Sequence, residues 1–168
     1  MAILPILKWP DPRLAQRCAP VSEGEDLSAL IADMFDTMYD APGRGLAAPQ
    51  VGVMKRFFVM DVTWKAGARS PVAMINPQIL DRSADLVAGE EGCLSIPGVA
   101  TVVERPSWVV MAWTDADGQP QEQRLEGFAA RCAQHEFDHL DGVVTFDRLA
   151  PEARAVAMDR YAAAGVTA

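Results

Sequence analysis

Apolar positions recur along this chain in two different periods. Over residues 25–41, EDLSALIADMFDTMYDA, Leu27, Leu30, Ile31, Met34 and Met38 return every three or four residues, which predicts a helix with one buried face, stopped by Pro42-Gly43. RFFVMDV (56–62) is short and mostly apolar and predicts a strand. PVAMINPQIL (71–80) predicts two strand pieces split at Pro77, because proline cannot donate to a sheet ladder. Residues 107–127, SWVVMAWTDADGQPQEQRLEG, predict a hairpin turning near Asp117-Gly118. A helix over 127–141 closes at Gly142, and PEARAVAMDRYAAA (151–164) predicts a last helix with Pro151 in its first turn. After Pro10, residues 11–17 have room for a helical turn or two; GRGLAAPQVG (43–52) and GEEGCLSIPG (89–98) read as loops. Helices and strands are interspersed without βαβ alternation, and no repeat or linker interrupts them. The expected fold is α+β, a single domain over residues 1–168 with small antiparallel or mixed sheets packed around a central helix.

Composition narrows the function classes. Half of the 168 residues are hydrophobic and 23% are charged, as in ordinary globular proteins. The formal net charge of -8 argues against binding nucleic acid or an anionic membrane mainly through charge. No apolar run reaches membrane-span length. The start, MAILPILKWPDPRL, lacks a charged leader and is broken by Pro5 and Pro10, so it is expected to belong to the mature protein. Cys18, Cys93 and Cys132 are odd in number and lack framework spacing, which suits a reducing cytoplasm better than a disulfide scaffold.

The chemistry concentrates in QHEFDHLDG (134–142), which holds the only 2 histidines of the chain. His135 and His139 are i and i+4, stacked on one helix face, where two imidazoles can grip one metal ion. A catalytic metal needs a third protein ligand and an open position. Cys132 is tempting, but at 1.5 Å per residue it lies about 10.5 Å along the axis from His139, so a core or pocket-lining place is expected for it. Cys93, in a glycine-rich loop, is the better candidate. Glu136 points roughly a hundred degrees away from His135 and is placed to act as general base and then general acid, while a metal-acidified water attacks a carbonyl. The resulting oxyanion needs donors, for which backbone N–H groups near Cys93 and the Gln50 amide are candidates. Asp138 and Asp141 are expected to be exposed helix and cap residues.

GRGLAAPQ (43–50), EGCLS (91–95) and HEFDH (135–139) together resemble the three signature motifs of the peptide deformylase family, in the same order along nearly the whole chain. The resemblance implies a hydrolase that removes the formyl group from the N-terminal methionine of new polypeptides. It implies a divalent ion, Fe2+ natively, with Zn2+, Ni2+ or Co2+ able to take its place. Cys93, His135 and His139 match the metal ligands and Glu136 the acid/base; Gly45, Gln50 and Leu94 match positions that hold substrate or the oxyanion. The implied partners are N-formylated nascent peptides and, transiently, the ribosome, although the arginines of the last helix are offset by acids and no basic docking helix is evident.

The pocket departs from the family pattern. Arg44 and Arg131 stand where relatives commonly carry apolar residues, and Ala100 where many carry a larger one, often arginine. Two arginines beside a methionine pocket could narrow it, cap it with their alkyl stems, or welcome an acidic group. With Cys132 they are the expected substrate-side residues. The alternatives are the same chemistry on another N-formylated peptide or amine, or a catalytically silent metal-binding relative, against which Glu136 and Gln50 both stand. A zinc endopeptidase takes its third ligand downstream; here no third histidine exists and Glu152 falls too close.

Overall fold

Four consecutive apolar residues, Phe57–Met60, form a strand with no exposed side chain, because the sheet they belong to is covered on both faces. In the computed structural model, which describes residues 2–165, the order of elements is α1 (Ser28–Asp40), β1 (Gly45–Ala47), β2 (Phe57–Met60), β3 (Val72–Arg82), β4 (Leu86–Cys93), β5 (Ile96–Pro106), β6 (Trp108–Thr114), β7 (Pro120–Glu126), α2 (Gly127–Leu140) and α3 (Pro151–Ala163). Short 3-10 turns punctuate them at Pro12–Ala15, Ala48–Val51, Trp64–Ala66 and Thr145–Arg148. One sheet runs β1-β2-β3-β6-β7, antiparallel throughout, and β4 pairs with β5 as a separate ribbon. This is the expected α+β architecture, with α2 at its centre. No helix among the described residues is long and apolar enough to cross a membrane.

Side chains alternate across a strand, and β2 shows what each face meets. Phe57 and Val59 pack with Ile31, Met34 and Met38 of α1, whereas Phe58 and Met60 pack with Ala130, Ala133 and Leu140 of α2. Burial of each phenylalanine contributes about 1.5–3 kcal/mol. A third cluster joins Leu14, Ile96, Val99, Phe146 and Tyr161, so β5 and α3 share a core with the N-terminal segment. Trp9 meets Phe146 and Tyr161 edge-on at 5.0 and 5.7 Å, and the Tyr161 hydroxyl donates to the Trp9 carbonyl at 2.7 Å.

Four expectations need correction: residues 43–52 are not a loop throughout but contain β1 and the 3-10 turn Ala48–Val51, and three further readings change. Residues 71–80 are not two strands: β3 runs through Pro77 as one strand with a register shift between Ile75 and Gln78. Asn76 absorbs the bulge with φ +49, and its side-chain amide is clamped to both backbone groups of Val21, at 2.8 and 3.0 Å. Residues 89–98 are not a loop but the tip of the β4–β5 hairpin, in which Cys93 faces Ile96 across a turn at Leu94-Ser95. Asp138 is buried rather than exposed, held by Arg105 and Arg148. The early helix starts at Ser28, with Asp26 accepting the Ser28 N–H at 2.9 Å. The hairpin near Asp117-Gly118, the 127–141 helix ended by Gly142 at φ +74, and the Pro151 start of α3 match the sequence reading.

Candidate active site

Helix α2 carries two stripes. Ala130, Ala133 and Leu140, with Phe137 beside them, face the large sheet. The other stripe, Cys132, His135, Glu136 and His139, turns toward the tip of the β4–β5 hairpin and the cavity beside it. Cys93 ends β4 and is delivered to that stripe by the two-residue turn that follows. Its Sγ lies 3.5 Å from His139 Nε2, and the ligand atoms of Cys93, His135 and His139 all fall within 4.8 Å of one another. A tetrahedral ion with sulfur at about 2.3 Å and nitrogen at about 2.0–2.1 Å separates those donors by about 3.5 Å. The residues therefore fit a divalent ion. Glu136 Oε2, buried beside the triad, has no hydrogen-bond partner among the protein atoms, as expected of a carboxyl oxygen turned toward solvent in the site.

Behind the ligands stands a buried ion-pair network. Glu91 Oε1 is 2.9 Å from His135 Nδ1, which leaves His135 Nε2 to face the site. Arg105 grips Glu91 through two nitrogens at 2.6 and 2.9 Å and reaches Asp138 at 2.9 Å. Arg148 holds the other side of Asp138 at 2.6 and 3.0 Å. Burial works against ionised Glu91, but hydrogen bonds from His135 and Arg105 prevail and hold its carboxyl down at about 2. Burial also works against charged His135; its bonds to Cys93 and Glu91 outweigh this and raise it in the metal-free protein, so an entering ion displaces a proton there. Burial, reinforced by the charge of His135, keeps His139 neutral. Glu136 is pushed up to about 7, first by burial, with the positive charge of His135 opposing the rise and the negative charge of Glu91 adding to it. Its Oε1 lies 3.7 Å from His135 Nε2. A carboxyl poised near neutrality can both take and return a proton.

The remaining candidates assemble around this centre. The 3-10 turn Ala48–Val51 presents Gln50, which is buried. The Ala47 N–H donates to its Oε1 at 2.9 Å, fixing the amide so that Nε2 points at Ser95 Oγ (3.0 Å) and Cys93 Sγ (3.8 Å). A Cβ on Gly45 would sit 2.9 Å from Glu136 Cγ and 3.0 Å from Cys132 Sγ, so only glycine lets β1 approach α2 here. Cys132 is not a ligand; its thiol contacts the Arg44 carbonyl at 3.6 Å and lines a cavity of about 720 Å³ together with Leu94, Gly45 and Glu136. Arg44 lies at the same cavity with its guanidinium 5.2 Å over the Phe128 ring. Arg131 borders the cavity too, but its head group is taken up by Glu91 (2.7 Å) and the carbonyls of Val103 (2.8 Å) and Val87 (2.6 Å), so it ties α2 to the hairpin. Sequence reasoning gave no part to Glu91, Ser95, Arg105 or Asp138. Glu91 and Ser95 lie inside the EGCLS motif, which was the available signal; Arg105 carried none.

Comparison with known proteins agrees with this geometry. The polypeptide deformylase family model matches residues 3–155. A peptide deformylase of Alkalilimnicola ehrlichii is 52% identical over 150 residues, covering 89% of this chain and 83% of its own. Peptide deformylase 2 of Xanthomonas campestris pv. campestris is 46% identical over 166 residues, with 96% of each chain covered. The crystal structure of a peptide deformylase from Legionella pneumophila superposes with a TM-score of 0.90 at 41% identity, covering 98% of this chain and 96% of that one. With its Cys93, His135 and His139 triad in place, the chain belongs to the peptide deformylase family.

Proposed function

We propose that Glu136 is the proton shuttle, and Gln50 with the Leu94 N–H the oxyanion donors, of the reaction to which family membership assigns this chain. That reaction is hydrolytic removal of the N-formyl group from nascent peptides by a metal-dependent hydrolase. The observation that carries the role of Glu136 is its position: a buried carboxyl, raised to about 7 and open to the cavity beside the ligand triad.

Cys93, His135 and His139 would hold the ion, with Fe2+ the native choice; the thiolate and two imidazoles also accept Zn2+, Ni2+ or Co2+. The bound ion supplies Lewis acidity toward the water and the formyl oxygen. Glu136 takes a proton from water as its oxygen bonds to the formyl carbon. The Gln50 Nε2–H and Leu94 N–H donate to the formyl oxygen as it gains charge. When the C–N bond breaks, Glu136 returns the proton to the amine nitrogen, and formate and a free N-terminus leave. Gly45 leaves the room in which the substrate lies against Glu136, and Cys132, Arg44 and Arg131 line the cavity that receives the peptide.

The catalytic unit is residues 1–168 as one domain. Three free thiols favour a cytoplasmic setting, and the ribosome is met transiently through the nascent chain. The experiment is formate release from formyl-Met-Ala-Ser by anaerobically purified, iron-loaded protein, beside formyl-Glu and formyl-Leu analogues. Fast turnover of the methionine peptide is expected. Cleavage of another formyl peptide alone would leave the chemistry standing and replace the substrate, a second reading that rests on Arg44 at the cavity.

A further inference from the structure

The cavity has a floor and a mouth, and they differ in charge. Cys93, Cys132 and Glu136 are buried at the floor, whereas Lys65, Ala100 and Phe128 are exposed at the mouth. A formyl carbon must reach the floor to meet Glu136, so groups at the mouth meet the residues that follow the first one.

Four cations border this cavity in a chain whose formal net charge is -8. Arg131 is neutralised by Glu91. The other three, Lys8, Arg44 and Lys65, have no carboxylate partner among the described residues. Each is nevertheless positioned. The Arg44 guanidinium lies 5.2 Å over Phe128 of α2, and Lys65 Nζ lies 5.7 Å over the ring of Trp64. Trp64 in turn donates its indole N–H to the Gly43 carbonyl at 2.9 Å, so the Lys65 support is anchored on the residue before Arg44. Lys8 Nζ donates to the Ile6 carbonyl at 3.0 Å. The aromatic seats of Arg44 and Lys65 restrict these two side chains without cancelling their charge. Of the carboxylates at the cavity, Glu91 is spent on Arg105, Arg131 and His135 and Glu136 belongs to the floor, leaving exposed Glu90 against three cations. Ala100, exposed at the mouth, adds no charge there.

We propose that the mouth formed by Lys8, Arg44 and Lys65 selects formyl peptides carrying a carboxylate shortly after the first residue. The inference rests on the deformylase reading of the same site. It also relocates the acidic preference that the arginines suggested: with Arg131 committed to the hairpin, the selection falls on downstream residues and not on the first side chain. In short peptides the carboxylate has two sources, an acidic side chain or the free C-terminus.

The test measures kcat/KM for formyl-Met-X-Ser-amide with X = Glu, Gln or Lys, and for formyl-Met-Gln-Ser with a free C-terminus, on the iron-loaded protein. The expected order is Glu over Gln over Lys, with about tenfold between Glu and Lys, the factor that corresponds to roughly 1.4 kcal/mol. The difference is expected in KM rather than kcat and to collapse in about 0.5 M salt, where screening acts within a few ångströms. Lys65→Glu is expected to reverse the order and Lys65→Gln to flatten it. A free-acid advantage over the amide at X = Gln would assign part of the selection to the C-terminus. Equal turnover of the Glu, Gln and Lys peptides overturns the inference while the deformylase reading stands. So does a preference unmoved by salt and by both Lys65 variants. Absence of formate from every one of these peptides and from the formyl-Glu and formyl-Leu analogues overturns the deformylase reading itself.

Discussion

His135 Nδ1 lies 2.9 Å from a carboxylate oxygen of Glu91, and Glu91 is itself clamped side-on by Nε and Nη2 of the Arg105 guanidinium. The pairing leaves His135 Nε2 as the atom facing the ligand site and ties its ring to β4, the strand that also delivers Cys93. Glu91→Gln keeps the shape but loses the charge that Arg105, Arg131 and His135 share. It is expected to weaken metal affinity by about 10–100-fold, read by competition with a chelator of known affinity while circular dichroism stays native.

The two pocket-side cysteines should behave differently. Cys93→Ser removes a thiolate from the ligand set and is expected to lower metal occupancy after dialysis. Cys132→Ser alters a side chain that meets the Arg44 carbonyl, Gly45, the cavity and the edge of the core but not the ligand set, and is expected to retain the ion. Metal content per chain, measured by atomic emission, separates them.

Gly45→Ala would place a methyl group 2.9 Å from Glu136 Cγ and 3.0 Å from Cys132 Sγ. Something must move, and both neighbours sit on α2 in the packed centre of the molecule. Overpacking of this kind costs about 1–3 kcal/mol, so a lower melting temperature is expected, together with a loss of kcat out of proportion to it because Glu136 is displaced.

Acid stability follows from Glu91. Its folded-state value, about 2, lies below the ordinary 4.5, so its stabilising contribution is fully present above about pH 4.5 and is lost as the pH falls toward 2. Metal-free wild type is therefore expected to lose melting temperature between pH 5 and 3 more steeply than metal-free Glu91→Gln. Parallel slopes would show that Glu91 is not the group that responds.

Much of this was legible in the sequence because the signals were local. His135 and His139 at i and i+4, with Glu136 between them, need only a helix to become a site, and the 3.6-residue periods announced the helices around them. The β4–β5 hairpin was misread because its tip, GEEGCLSIPG, combines glycine and proline with charge; its strand character comes from pairing Leu86–Glu91 with Thr101–Pro106, partners that local composition does not disclose. Arg105 and Glu91 are buried only because they satisfy each other and Asp138. Nothing in a single sequence pairs residues 14 and 33 positions apart. Pro77 did interrupt the ladder as expected, but Asn76 in a left-handed conformation carried the strand through as a bulge.

The most direct measurement compares formate release from formyl-Met-Ala-Ser by wild type and Glu136→Gln, each with its bound metal quantified in the same sample. Equal metal occupancy with kcat lowered by about 10²–10⁴-fold is the predicted result, since the ligand triad is intact and only the proton shuttle is gone. Wild-type turnover by a fully metallated Glu136→Gln would contradict the account.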